Sequence, residues 1–349
     1  MIKQWVDGLM GGPSTPLVYL SFMLLACVMV LGFVLVVVMF LTWVERKVAG
    51  HIQSRVGPMA TGAWHGWAQP LADGLKLLLK EDLMPASADR VLFKLAPYVV
   101  FTGSLMAFAV VAWGGKMIPA DLNLGVFYIM AVTSLGVVGI MMAGWSSNNK
   151  WSIYGAMRGV AQIVSYELPA ALSLVAVVMW VGSMKLTAMN DSQAGWFWHW
   201  HIFKGFPFFS IGALVFYISA LAETNRTPFD LPEAEQELVA GFHTEYSGMR
   251  FAMFFLAEYA NMFLVSAVTV LAFLGGSHAG IPWIDRFIPG PIIMATKSLL
   301  LVFLMVWLRW TLPRLRVDQL MRVCWKYLIP IAFFNLFGIG VLMLVVGRA

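Results

Sequence analysis

Residues 16–44 read PLVYLSFMLLACVMVLGFVLVVVMFLTWV, a run without one charged side chain. About 20 apolar residues in a helix cross the roughly 30 Å of bilayer hydrocarbon. This run is therefore a membrane span, long enough to need tilt. Seven further stretches qualify, near residues 95–113, 124–145, 160–181, 206–222, 251–274, 291–310 and 325–346. The expected fold is an all-α polytopic membrane protein, a single transmembrane domain over residues 1–349 with about eight transmembrane helices.

Composition agrees. With 60% hydrophobic residues, 12% charged residues and a mean hydropathy of +0.79, the chain has too few charges to coat a soluble globule. Its net charge of +5 is interrupted by apolar runs and forms no dense basic stripe, which argues against a nucleic-acid partner. Cys27 falls in the first apolar run and Cys324 in a polar segment near the other end, too few and too far apart for a disulfide framework or an iron–sulfur cluster. Residues 1–15 lack the basic region, short apolar core and small-residue cleavage site of a signal peptide, so the first run reads as a retained span.

An even number of spans puts both termini on one side and the odd-numbered loops on the other. Sixteen of the 23 Lys and Arg fall on the odd-loop side, which the positive-inside rule makes cytoplasmic. Fourteen of the 18 Asp and Glu lie at or near that same face, which the rule does not require. Something there uses both signs of charge.

Two odd loops are long. In the first, residues 45–90, Trp67, Leu71, Leu75 and Leu78 repeat with a helical period while Asp73, Lys76 and Lys80 face elsewhere, which predicts an amphipathic interfacial helix. The second, the acidic loop at 224–249, carries Asp230-Leu-Pro-Glu233. An Asp cap with Pro in the first turn and Glu three residues on predicts a short helix start, with Glu233 and Glu237 on one face. On the opposite side, Trp196, Trp198, His199, Trp200 and His201 read as an interface belt rather than a metal site.

A carboxylate within a span costs several kcal/mol if it is ionised and unpaired, so each is a functional candidate. Glu167 lies in the fourth span, Glu223 ends the fifth, and Glu258 lies about two turns into the sixth, or about 10 Å. A proton relay would use such groups. The bland alternative pairs each permanently with a base such as Arg158 or Arg226 and leaves them to fix packing. Lys297, near the far end of the seventh span, is expected to snorkel to water. No GxGxxG fingerprint, P-loop or cysteine cluster occurs, so the chain is expected to bind no nucleotide, metal or redox centre itself.

The segment AETNRTPFDLPEAEQELVAGF at 222–242 resembles the signature loop of the H-subunit family of NADH-quinone oxidoreductases, a membrane component of respiratory complex I. Three further stretches agree in order: ERKVAGHIQSR at 45–55 with Gly57-Pro58, GWSSNNK at 144–150 leading to Arg158 and Ser165-Tyr-Glu167, and Ala257-Glu-Tyr259. Together they cover nearly the whole chain.

The resemblance implies a bacterial inner-membrane protein closing one end of a quinone cavity. Quinone would be the substrate. FMN and iron–sulfur clusters would sit in partner subunits, among them a hydrophilic one carrying the terminal cluster, and other membrane-arm subunits would adjoin. By residue, it implies that Glu45, Arg46, Arg55, Asp73 and Glu81 surround the cavity and its mouth. Arg226, Asp230, Glu233, Glu235, Glu237 and Phe242 would form the acidic loop, with Arg158 near it, and Glu167, Glu223, Glu245 and Glu258 an acidic path towards pumping subunits. Met59, where the family has asparagine after Gly57-Pro58, departs from the pattern.

Two rivals stand beside this reading. The anchor protein of a membrane-bound hydrogenase shares the acidic spans, though not the long match through both loops. An independent ion transporter would need a midplane site, and neither an internal repeat nor a matching pair of broken helices is visible.

Overall fold

Apolar length and strong helix formers set the first element of the computed structural model, which describes residues 16–114, 117–232 and 235–347. Helix α1 spans Pro16–Ile52. It overruns the end predicted at residue 44, because Glu45, Arg46, Lys47 and Ala49 are good helix formers and nothing interrupts them. Glu45 and Arg46 therefore continue the helix of the first span.

Helix α2, Gln69–Leu79, is the predicted interfacial helix, with Pro70 in its first turn. Trp67 before it and Leu71, Leu75 and Leu78 along it are all exposed, an apolar face left for something outside the chain. Helix α3, Arg90–Ala107, is capped by Asp89, whose carboxylate accepts from the Val91 and Leu92 N–H groups at 3.0 and 3.3 Å.

The third span divides into α4, Gly125–Thr133, and α5, Leu135–Ser146. Adjacent hydroxyls explain the break. Thr133 donates to the Met130 carbonyl at 3.2 Å and Ser134 to that of Ala131 at 2.8 Å, back-bonding that bends helices. Helix α6, Lys150–Val181, starts on an Asn149 cap and ends on Gly182 in the left-handed region.

Helix α7, Phe208–Glu223, is the fifth span and the shortest, 16 residues against at least 21 in the seven longer candidate spans. Helix α8, Gly248–Phe273, is the sixth span and the most enclosed of the candidates. Phe263, Leu264, Val268 and Leu271 on it are fully buried and hold the main core together. The seventh span is α9, Gly290–Thr311. The last begins as α10, Val317–Arg322, passes through a π turn at Val323–Leu328 and continues as α11, Ile329–Val346. Pro330 lacks the N–H that an α turn would use there. That turn buries Cys324, against its expected polar setting, with its Sγ 3.1 Å from the Ser165 carbonyl oxygen.

Three readings of the sequence are corrected. Leu231 and Pro232 are not helical, so Asp230 does not cap a helix there; its carboxylate meets Arg314 at 3.0 Å instead. A short helix runs over Glu235–Leu238, while Glu233, and with it the shared face with Glu237, lies outside the described residues. In the tryptophan-rich segment, Trp196 and Trp198 stack on each other and stay exposed, but Trp200 turns inward and His201 is fully buried, its Nδ1 2.7 Å from the Ala272 carbonyl oxygen. Lys297 does not snorkel. Its ammonium donates to the Leu274 and His278 carbonyls at 2.6 and 2.5 Å, 4.0 Å from the Trp200 ring centre, just past the C-terminal end of α8 where a helix dipole favours a cation.

Candidate functional site

Four elements bring charge to one buried point. The last turns of α1 carry Glu45, α8 carries Glu258 and Tyr259 side by side, the turn after α7 carries Arg226, and the last turn of α9 carries Arg309. Arg226 Nη1 donates to both oxygens of Glu45, at 3.0 and 3.1 Å, and its Nε lies 2.6 Å from Glu258 Oε1. The Tyr259 hydroxyl donates to Glu45 Oε2 at 2.7 Å, and Arg309 also pairs with Glu45 Oε1. The Arg226 guanidinium stands 4.4 Å from the Tyr259 ring centre.

The Arg226 side chain is 3% exposed and that of Glu45 7%. Burial works against a charged guanidinium, but Glu258 and then Glu45 outweigh it and hold the Arg226 proton more tightly than usual. Two acids and two bases balance, which is the condition for burying such a group at tolerable cost.

The acidic loop is fastened beside this cluster. Buried Gln162 on α6 donates from its amide to the Ala222 and Phe229 carbonyls, both at 2.7 Å, and to Asn225 Oδ1 at 3.2 Å. Gly155, also on α6, lets the loop backbone come close; a Cβ there would sit 2.7 Å from the Gly241 Cα and 2.9 Å from the Pro232 oxygen. Ser152 donates to the Phe242 carbonyl at 3.3 Å, Arg158 pairs with Glu237 at 2.6 Å, and the cap residue Asn149 donates to Glu245 at 2.7 Å. From the far side, the Leu315 N–H donates to the Pro228 carbonyl at 3.0 Å, next to the Asp230–Arg314 pair.

Between α3, α4, α5, α7 and α8 lies a cavity of about 50 Å³, room for a few water molecules. Glu223, Glu258, Thr133, Phe242, His243 and Asn261 are among its lining residues. The Thr133 side chain lies in the wall of this cavity with the Glu223 carboxyl, and Glu167 on α6 stands within range of its charge. Glu258 therefore belongs to both the cavity and the ion cluster.

A second, open cavity of about 420 Å³ lies between the end of α1 and the start of α2, lined by Arg46, Arg55, Gly57, Pro58 and Gln69. Arg46 pairs with Asp73 of α2 at 2.5 Å. Lys47 donates to the Pro58 carbonyl at 2.7 Å and touches Met59 Sδ at 3.1 Å, which places Met59 next to Pro58 of the cavity wall. Glu81 is exposed beyond α2, its backbone carbonyl accepting from Ser247 at 3.2 Å. The side chain of Glu235 lies outside the described residues.

The structure thus joins Glu45, Arg226 and Glu258, which the sequence placed in three separate groups, and sets Phe242 in the wall of the same cavity as Glu223 and Glu258. Sequence reasoning missed Tyr259, Arg309, Arg314 and Gln162 as members of the site. Tyr259 adjoins Glu258 in the chain and was open to suspicion; Arg309 and Arg314 had been counted only as bases marking a membrane face.

The NADH dehydrogenase family profile matches residues 25–340. The H subunit of the NADH-quinone oxidoreductase of Chlorobium luteolum is 47% identical over 345 residues, 96% of this chain and 92% of that one. The corresponding protein of Chlorobaculum tepidum is 47% identical, covering 96% and 95%, and one from Geobacter sulfurreducens 44%, covering 94% and 97%. These names are those of quinone oxidoreductase components, which decides against the hydrogenase anchor and the independent transporter.

Proposed function

Since the chain belongs to the NADH dehydrogenase family, among the H subunits of NADH-quinone oxidoreductase, we propose that its charged end walls part of the enzyme's quinone cavity and couples quinone reduction to ion movement. The chain is a multi-pass membrane component of an oxidoreductase complex. In the proposed reading the charged end faces the bacterial cytoplasm, and hydrophilic partners carrying FMN and iron–sulfur clusters supply the electrons.

Quinone enters from the bilayer past α2 and the open cavity at Arg46 and Arg55. Its reduction by a partner changes the charge felt at Glu45 and the acidic loop. Arg226, shared by Glu45 and Glu258, carries the change to the small cavity at Glu223, and Glu167 takes it further. That sharing is the observation that supports the reading most: one guanidinium bridges the end of α1, on the quinone side, to a carboxylate lining the acidic cavity.

The test separates the two halves of the path. Glu167→Gln should leave NADH:quinone reductase activity in membrane vesicles within about twofold while lowering protons moved per NADH by several fold, since a relay step is typically worth more than that. Unchanged pumping in Glu167→Gln, Glu223→Gln and Glu258→Gln alike would remove the relay.

A further inference from the structure

Among the described residues, the wall of the small cavity between α3, α4, α5, α7 and α8 has three titratable side chains, those of Glu223, Glu258 and His243. The two acids are carried by spans. His243 is carried by the acidic loop, in the turn Gly241–His243. That loop is the part of the chain on which quinone chemistry acts in the proposed function, so His243 is where the loop itself brings a titratable group to the cavity.

Its surroundings are aromatic. Phe242 of the loop and Phe251, Phe254 and Phe255 of α8 have ring centres 3.8, 5.6, 5.1 and 5.6 Å from that of the imidazole, and His243 is 5% exposed. A phenylalanine would fill such a place with no polar ring to take out of water. Packing alone therefore does not ask for a histidine. What imidazole adds is a group that gains and loses a proton in the neutral range. Three of the four rings belong to the helix that bears Glu258, which keeps the imidazole in place beside the acids. Water in the cavity also has polar atoms to rest on: Asn261 Oδ1 is buried with no hydrogen-bond partner among the described residues, and Thr133 and Asn225 share the wall.

Resting on the relay reading above, we propose that His243 is the proton carrier through which the acidic loop loads this cavity. The imidazolium gives a ring proton to a cavity water, and the Glu223 carboxylate takes one from that water. Glu258 is already held by Arg226 at 2.6 Å, which makes Glu223 the acceptor. The neutral ring is recharged by a proton from the cytoplasmic side.

The test uses the whole complex in inverted membrane vesicles with two variants that carry no such proton. His243→Phe keeps a ring for the aromatic cluster, and His243→Gln keeps a hydrogen-bonding side chain. Loss of a proton carrier slows a transfer step by about a hundredfold or more. Protons moved per NADH should therefore fall several fold in both variants, out of proportion to any change in KM for quinone. Unchanged pumping in both, with Glu223→Gln lowering it, would overturn the role of His243 and leave the relay standing. Unchanged pumping in Glu223→Gln as well would remove relay and carrier together. A raised KM with protons per NADH preserved would reduce His243 to packing of the loop and overturn the proposal too. Should one variant fail to assemble, the other decides.

Discussion

Arg226 Nε lies 2.6 Å from Glu258 Oε1 while its Nη1 is held by Glu45, so the acidic loop and two spans meet at one guanidinium. Removing one member of a buried ion pair costs about 3–5 kcal/mol, because the partner is left charged and unsolvated. Arg226→Gln leaves two acids facing Arg309 alone. It should lower the amount of assembled complex on a native gel and cut quinone reductase activity per complex by more than about tenfold. Arg226→Lys keeps the charge but cannot bridge both carboxylates with a fork, and should fall between.

Arg309 gives the contrast. Its side chain is 29% exposed, so water compensates part of what Arg309→Gln removes. The loss should be the smaller of the two in both assembly and activity. A larger loss for Arg309→Gln than for Arg226→Gln would move the centre of the cluster to α9.

The close approach at Gly155 makes a second kind of demand. Gly155→Ala would put a methyl 2.7 Å from the Gly241 Cα and 2.9 Å from the Pro232 oxygen, both backbone atoms that cannot rotate away. Overpacking of this kind costs about 1–3 kcal/mol. The loop must shift, and Phe242 with it. The expected result is a raised apparent KM for quinone with pumping per turnover preserved, measured in the same vesicle preparation; an unchanged KM would show that the loop's position is not critical.

What the sequence made legible was whatever depends on near neighbours. Span positions followed from apolar length, and α2 from the period of Trp67, Leu71, Leu75 and Leu78. The carboxylates stood out because ionised groups in hydrocarbon are costly. Pairings across the chain were hidden: Arg309 and Glu45 are 264 residues apart, and Arg314 takes Asp230 from a helix cap that the local pattern favoured. Lys297 failed as a snorkelling lysine for the same reason. Its depth was readable, but the bare carbonyls beyond α8 that receive it are supplied by a different segment.

That contact makes its own prediction. Lys297→Met removes an ammonium that holds the Leu274 and His278 carbonyls and caps the helix bearing Glu258. Charged hydrogen bonds contribute about 1.5–3 kcal/mol. The Tm of the purified complex, followed through release of this chain, should fall, with Lys297→Arg recovering part of it. Because Lys297 lies at the opposite end of α8 from the ion cluster, KM for quinone should not move.

Tyr246, near the end of the acidic loop just before α8, supplies a pH test. Its ring stacks on Phe93 at 4.1 Å and its hydroxyl donates to the Phe93 carbonyl at 3.2 Å. Burial pushes its phenol up to about 12, against the opposing influence of Ser146 and Arg250. The ordinary value is about 10. A pKa raised by folding means that the folded chain binds this proton more tightly than the unfolded chain does. The associated stability is fully present below about pH 10 and is lost as the pH rises towards 12. Tyr246→Phe removes the ionising group and the hydrogen bond together, so it should cost about 0.5–1.5 kcal/mol at neutral pH yet show a flatter decline in Tm between pH 10 and 12. A parallel decline in both proteins would mean that another group governs alkaline dissociation.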